Sequence, residues 1–172
     1  MINTTLFKST VKQGIIMGLS FCLYTTLMWL TKLDAVYLNI GQYFDMAIII
    51  LPILMILWAI RQENNRYTVT IIQRITIAIF VGAVSYLIYE PFLYTYHNYI
   101  NPDWFTSVLN LKEIDLNAVN TPQEAIIETL QKMKDLNASQ SRLFTLSTAI
   151  PSVIIIPTLI ALISLIFVKR KK

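Results

Sequence analysis

With one cysteine and one histidine in 172 residues, the chain offers little to a metal or a redox partner. Cys22 stands alone, so no intrachain disulfide can form and none reports a redox compartment. His97 alone does not make a zinc site, which gathers several His or Cys ligands. Charge is scarce as well: 14% of residues are Asp, Glu, Lys or Arg, against roughly 25% in a soluble domain. A surface so thinly charged must face something other than water. The chain also lacks HExxH, G-x-S-x-G, P-loop and G-x-G-x-x-G patterns. No catalytic residue, cofactor or metal ligand set is therefore assigned. The net charge of +4 does not signal nucleic acid, because no basic face with interleaved aromatics occurs in a soluble segment.

What fills the chain instead is apolar: 55% of residues are hydrophobic and the mean hydropathy is +0.57. These residues cluster from Gln13 to Thr31, Met46 to Ile60, Ile75 to Tyr89 and Leu143 to Val168. Crossing about 30 Å of hydrocarbon takes about 20 helical residues. The outer two stretches reach that length alone. The second borrows Tyr43 to Asp45, and the third runs past Glu90 toward Ile100. The expected fold is an all-α integral membrane protein, one membrane domain with four transmembrane helices over about 12–31, 44–60, 72–99 and 144–168. No small-x-small cleavage site follows the first stretch before Lys32, so it reads as an uncleaved anchor.

Lys and Arg of short loops remain on the cytoplasmic side. Four spans place nine of the 14 basic residues on the face of the termini: Lys8, Lys12, Arg61, Arg66, Arg74 and Lys169 to Lys172, against the single acid Glu63. Lys32, Lys112, Lys132, Lys134 and Arg142 fall on the other face with most of the acids. Both termini are thus expected in the cytoplasm. Tyr37, Tyr43, Tyr94, Tyr96, Tyr99 and Trp104 gather at the opposite mouth, as an aromatic interfacial belt does.

Gly14 and Gly18 form a GxxxG pair continued by Cys22 and Thr26. Small residues four apart let another backbone approach, either inside this bundle or on a partner helix. Pro52, Pro151 and Pro157 each remove an internal hydrogen bond from their span. Such breaks are often simply tolerated in membrane helices, yet they also surround cavities in transporters. In the third span Ala78, Gly82, Tyr86, Glu90 and Tyr94 recur every four residues, with His97 continuing near that face. Glu90 precedes Pro91, about 24 Å along a helix that starts near Arg74. An ionisable group at membrane depth is costly and often functional. Tyr86 or Tyr94 is placed to donate to it, or His97 to pair with it. The bland reading is a structural polar contact.

About 40 residues separate the last two spans, too many for a turn. Thr121-Pro122-Gln123-Glu124 reads as an N-cap, a first-turn proline and a capping-box Glu. Ile126, Ile127, Leu130, Met133 and Leu136 follow, opposed by Glu124, Glu128, Lys132 and Asp135. An amphipathic outer helix over about 122–136 is expected to lie on the outer membrane face, cap the bundle, or dock a partner. The segment from Val108 to Val119 carries no assignable pattern. Asn137-Ala138-Ser139 and Asn3-Thr4-Thr5 match the glycosylation acceptor triplet, but a match this short assigns no role.

Ala59-Ile60-Arg61 through Asn64-Asn65-Arg66, the third span with Gly82, and the exit Tyr96-His97-Asn98-Tyr99-Ile100-Asn101-Pro102-Asp103-Trp104 together resemble the membrane protein family known as domain of unknown function 4199. The resemblance covers nearly the whole chain. It implies a multi-pass protein of the bacterial inner membrane and carries no activity with it.

Three function classes remain. Autonomous catalysis would have to use a dyad of Asp45 and Glu90, although Asp45 is better placed to cap the start of the second span. A small transporter or channel would use Glu90 in its pathway and need a homo-oligomer to complete a wall. The favoured expectation is an accessory or scaffold subunit of a cell-envelope complex, packing through Gly14, Gly18 and Gly82 on a membrane-protein partner within the lipid bilayer.

Overall fold

A computed structural model describes residues 4–66, 68–140 and 143–168. The Lys169 to Lys172 cluster, Arg142, Asn3 of one acceptor triplet, and the side chains of Lys8 and of Ser139 in the other lie outside the described residues. Among the described residues every element is helical, and four helical stretches are long and apolar enough to cross a membrane: Thr10–Leu30, Leu38–Asn64, Ile71–Ile100 and Leu146–Phe167.

The first is α1 (Thr4–Leu30). It ends where Lys32 turns left-handed at φ 58. Lys32 N–H and Leu33 N–H then donate back to the Trp29 and Met28 carbonyls at 3.0 and 2.9 Å, which satisfies the end of the helix. The second span is broken into α2 (Leu38–Ile48) and α3 (Ile50–Asn64). The break at Ile49 sits three residues before Pro52, whose missing N–H leaves the Ile48 carbonyl without its helical donor. The third span, α4 (Ile71–Thr95), starts at a capping box: Thr70 Oγ1 accepts from Gln73 N–H and Gln73 Oε1 accepts from Thr70 N–H. Pro91 lies within it, and a wider π turn over Tyr96–Ile100 finishes it. The last span is α7 (Leu146–Ala149), a π-helical segment Ile150–Ile155 around Pro151, and α8 (Ile156–Phe167).

The spans run up and down in turn, with α4 touching α1, α3 and the last span. At the end bearing the termini, Gln13 meets Gln62 at 3.2 Å and Arg74 reaches across to Ser164 and Val168. Met17, Ile56, Ala59, Ile60, Ile77, Ala78, Val81, Ile160 and Ala161 form the core above that layer. Leu19, Leu23, Leu54, Trp58, Leu87 and Ile166 stay exposed on the outside, which a bilayer but not water would cover.

Glycines set the close approaches. A Cβ on Gly14 would meet Val84 Cβ at 2.6 Å, and one on Gly18 would meet the Ser85 carbonyl at 3.0 Å. The GxxxG face is therefore spent on α4 of the same chain. On another side of α4, a Cβ on Gly82 would meet Pro157 Cγ at 2.7 Å.

Between the third and fourth spans lie α5 (Trp104–Ala118) and α6 (Gln123–Gln140), packed on each other. The stretch without sequence pattern is thus mostly helix. It ends on left-handed Asn120, whose N–H donates to the Asn117 carbonyl while Thr121 N–H reaches Leu116. The expected apolar stripe of α6 is only partly used. Ile126 is buried, but Ile127 and Leu136 are each 60% exposed. Successive residues sit about 100° apart on a helix, so Ile126 and Ile127 cannot share one narrow face. The structure shows a helix here and does not show an apolar face laid on a surface.

Candidate functional site

Two cavities, each of about 270 Å³, open in the half of the bundle away from the termini, and Tyr89 and Leu93 belong to both walls.

The first holds Glu90. α4 presents Gly82, Ser85, Tyr86 and Glu90 to it, α3 presents Pro52, and the last span presents Thr148 and Ser152. Glu90 is 9% exposed, and its Oε1 accepts from Thr148 Oγ1 at 3.2 Å. The Tyr86 hydroxyl lies 2.8 Å from the same Thr148 oxygen. Thr148 is placed by α7, whose N-cap Thr145 accepts from Thr148 N–H at 3.4 Å. Tyr86 thus joins Glu90 through a threonine that the sequence did not single out.

Tyr94 and His97 do not reach Glu90. Tyr94 is 38% exposed, and His97 stacks on Trp104 with ring centroids 4.5 Å apart. The stripe as a whole also does not hold one face. Each step of four turns about 400°, so the face advances about 40° per step and Tyr94 ends almost opposite Ala78.

The second cavity gathers Asp34, Asp45, Tyr24, Tyr89, Tyr96, His97 and Trp104. Asp45 does not cap the second span. That span starts seven residues earlier at Leu38, and Asp45 instead accepts from the Tyr24 hydroxyl at 2.7 Å. Its carboxylate neighbour in this wall is Asp34, so the imagined dyad of Asp45 with Glu90 is divided between two cavities. Asp34 is 7% exposed. The Tyr96 hydroxyl donates to its Oδ2, and Asn101 Nδ2 donates to the same oxygen at 2.9 Å. Tyr96 and Trp104 are consequently drawn inward from the aromatic belt, while Tyr37, Tyr43 and Tyr99 remain on it. No sequence signal marks Asp34, because it sits in a loop, where an acid is ordinarily solvated. The π turn over Tyr96–Ile100 that brings Tyr96 and Asn101 onto it has no signature beyond Pro91 upstream.

Burial raises the Asp34 carboxyl above its ordinary value. The Asn101 bond opposes that rise, and the charge of Asp45 adds to it. The folded state thus favours protonated Asp34, a contribution complete at pH below the ordinary carboxylate range and lost as pH rises through the raised value. Asp34→Asn should therefore gain stability relative to the parent as pH rises toward neutrality. Thermal unfolding of both proteins in detergent over acidic to neutral pH checks this; a difference that ignores pH would refute it.

At the end bearing the termini a third polar layer is buried: Thr10, Gln13, Glu63, Asn64, Arg74 and Ser164 are each at most 5% exposed. Arg66 Nη1 lies 3.4 Å from Glu63 Oε1. Among the described residues no group of three His, Cys, Asp or Glu side chains is placed to hold a metal ion.

The family model described as "Protein of unknown function (DUF4199)" matches residues 12–170. The chain belongs to this family. All the residues of both cavities fall within the matched range, so the polar sites lie in the family's own domain and not in an appendage. No curated protein and no solved structure matches the chain.

Proposed function

We propose that this is a multi-pass protein of a bacterial plasma membrane, with both termini cytoplasmic, that moves a small solute or cation past Glu90 as a small transporter or channel. One observation carries the reading: the helix irregularities converge on the Glu90 cavity. Pro52 lines it, Pro91 adjoins Glu90, and Ser152 enters from the π-helical segment beside Pro151. Interrupted helices around a buried polar group are how membrane proteins build solute sites near the bilayer midplane. The excess of Lys and Arg on the face of the termini supports the orientation. A second copy would supply the wall that four helices lack.

Liposomes carrying the purified protein should show small-cation flux above empty liposomes, read with a pH-sensitive dye under an imposed potential. Glu90→Gln should lower that flux at least about tenfold, as removal of a buried carboxyl contact does. Flux equal in both proteins, or absent from the parent, would refute the reading.

The accessory-subunit reading keeps one supporting observation. Ile114, Val119, Ile127 and Leu136 of the α5–α6 hairpin are at least 60% exposed on the side away from the termini, and apolar residues left on a loop hairpin invite a partner or headgroups. Gly14 and Gly18 no longer support it, since α4 occupies their face. A stoichiometric membrane partner recovered with the protein in mild detergent would favour this reading over transport.

A further inference from the structure

We propose that the cavity of Asp34 and Asp45 is a binding site for an alkylammonium group. Asp34 is 7% exposed, and its Oδ2 is occupied by Tyr96 and Asn101. Its Oδ1 is buried with no hydrogen-bond donor in reach. A buried carboxylate oxygen without a donor is costly, and the side chain that bears it lines a cavity. Asp45 stands in the same wall with one oxygen taken by Tyr24. Among the described residues no Lys or Arg lines the cavity; the one basic side chain in its wall is the His97 imidazole, which is stacked on Trp104.

The rest of the wall selects among cations. Tyr24, Tyr89, Tyr96 and Trp104 are aromatic, and Thr25 supplies the one aliphatic hydroxyl. Aromatic faces attract organic cations through the ring quadrupole, and more strongly once water is excluded. A metal ion fits the wall less well, since no group of three His, Cys, Asp or Glu among the described residues is placed to hold one. The volume of about 270 Å³ also suits an organic group, since it is many times the ~30 Å³ share of a water. Two donors of N–H or N–CH₃ groups fit this chemistry: a free amine from the outer aqueous phase, and the amine headgroup of a neighbouring phospholipid.

The site is read by equilibrium binding, so its outcome is separate from that of the flux experiment on Glu90. Purified protein in an amine-free maltoside detergent is titrated calorimetrically with ethanolamine and choline, with propanol as the neutral control. In parallel, protein in nanodiscs of phosphatidylglycerol, with or without phosphatidylethanolamine, is analysed by native mass spectrometry for retained lipid. Saturable binding of a free amine identifies the solute source. Retention of phosphatidylethanolamine without free-amine binding identifies the headgroup. In either arm Asp34→Asn and Asp45→Asn should each weaken binding at least about tenfold. Asp45 is exposed, so its variant tests the site even where Asp34→Asn disturbs folding. Binding equal to propanol with no retained amine lipid overturns the proposal, as does unchanged binding by the Asp45 variant.

Discussion

Arg74→Met should lower the stability of the bundle by about 2–4 kcal/mol, seen as a melting temperature in detergent roughly 5–15 °C below the parent. Arg74 is 1% exposed at the first turn of α4. Its Nη1 donates to the Ser164 carbonyl at 2.8 Å and to Ser164 Oγ at 3.1 Å, and its Nη2 donates to the Val168 carbonyl at 2.8 Å. These acceptors belong to the last turn of α8, where the helix dipole leaves partial negative charge and carbonyls run out of helical donors. The Ser164 carbonyl keeps Val168 N–H as a second donor at 2.8 Å. Among the described residues the Val168 carbonyl has no second donor, so removing Arg74 leaves it without one there. A neutral interhelical hydrogen bond in a bilayer is worth only about 0.6 kcal/mol on average. The larger expectation here rests on the charge of the donor and the burial of the acceptors. Arg74→Lys should recover part of the loss, because an ammonium meets one carbonyl well but lacks the fork that spans both. A methionine variant that melts with the parent would show that Arg74 serves orientation only.

Arg74 also marks what the sequence made legible and what it hid. The four spans could be read because a bilayer demands about 20 apolar residues per helix, and that demand is written locally. In the sequence Arg74 is legible only as a positive charge beside a span end, on the same face as Glu63. That both are buried depends on where the ends of α3 and α8 come to rest, which no local pattern states. Glu90 could be found because an acid inside an apolar run stands out, and Tyr86 because it lies one turn before it. Thr148 could not: a threonine near the start of a span is ordinary, and its role depends on the register of the last span against α4. Asp34 was hidden for the opposite reason. It looks like any loop acid, yet Tyr96 and Asn101 fold back on it from more than 60 residues away. The partner of the Gly14 and Gly18 face was equally open in the sequence, since small residues state that something packs closely and not what.

Gly82→Leu should force α4 and the last span apart. The Gly82 Cβ position lies 2.7 Å from Pro157 Cγ, 3.0 Å from the Ser152 carbonyl and 3.5 Å from Val153 Cα. Two of these atoms are backbone and the third belongs to a ring, so none can swing aside as a side-chain tip would. Gly82→Ala sets two opposed terms against each other. Alanine gains about 1 kcal/mol of helix propensity over glycine, while overpacking costs about 1–3 kcal/mol. The net change should be small and unfavourable. Leucine gains no more propensity and adds three carbons that must push α4 and the last span apart. Its loss should exceed the upper end of that overpacking range. The separation would also carry Thr148 off Glu90, because Tyr86, Glu90 and Gly82 lie on the part of α4 that the last span grips. Gly82→Leu should therefore insert into membranes, melt well below the parent and Gly82→Ala, and lose the Glu90-dependent flux. Gly14→Ile, whose Cβ would meet Val84 Cβ at 2.6 Å, should melt low for the same reason. It should retain more flux, since α1 grips the face of α4 away from Thr148 and its displacement leaves the Glu90–Thr148 contact in place. Melting curves and flux measured on the same three variants separate the two effects. A Gly82→Leu protein as stable and as active as the parent would mean that α4 and the last span do not pack at this distance.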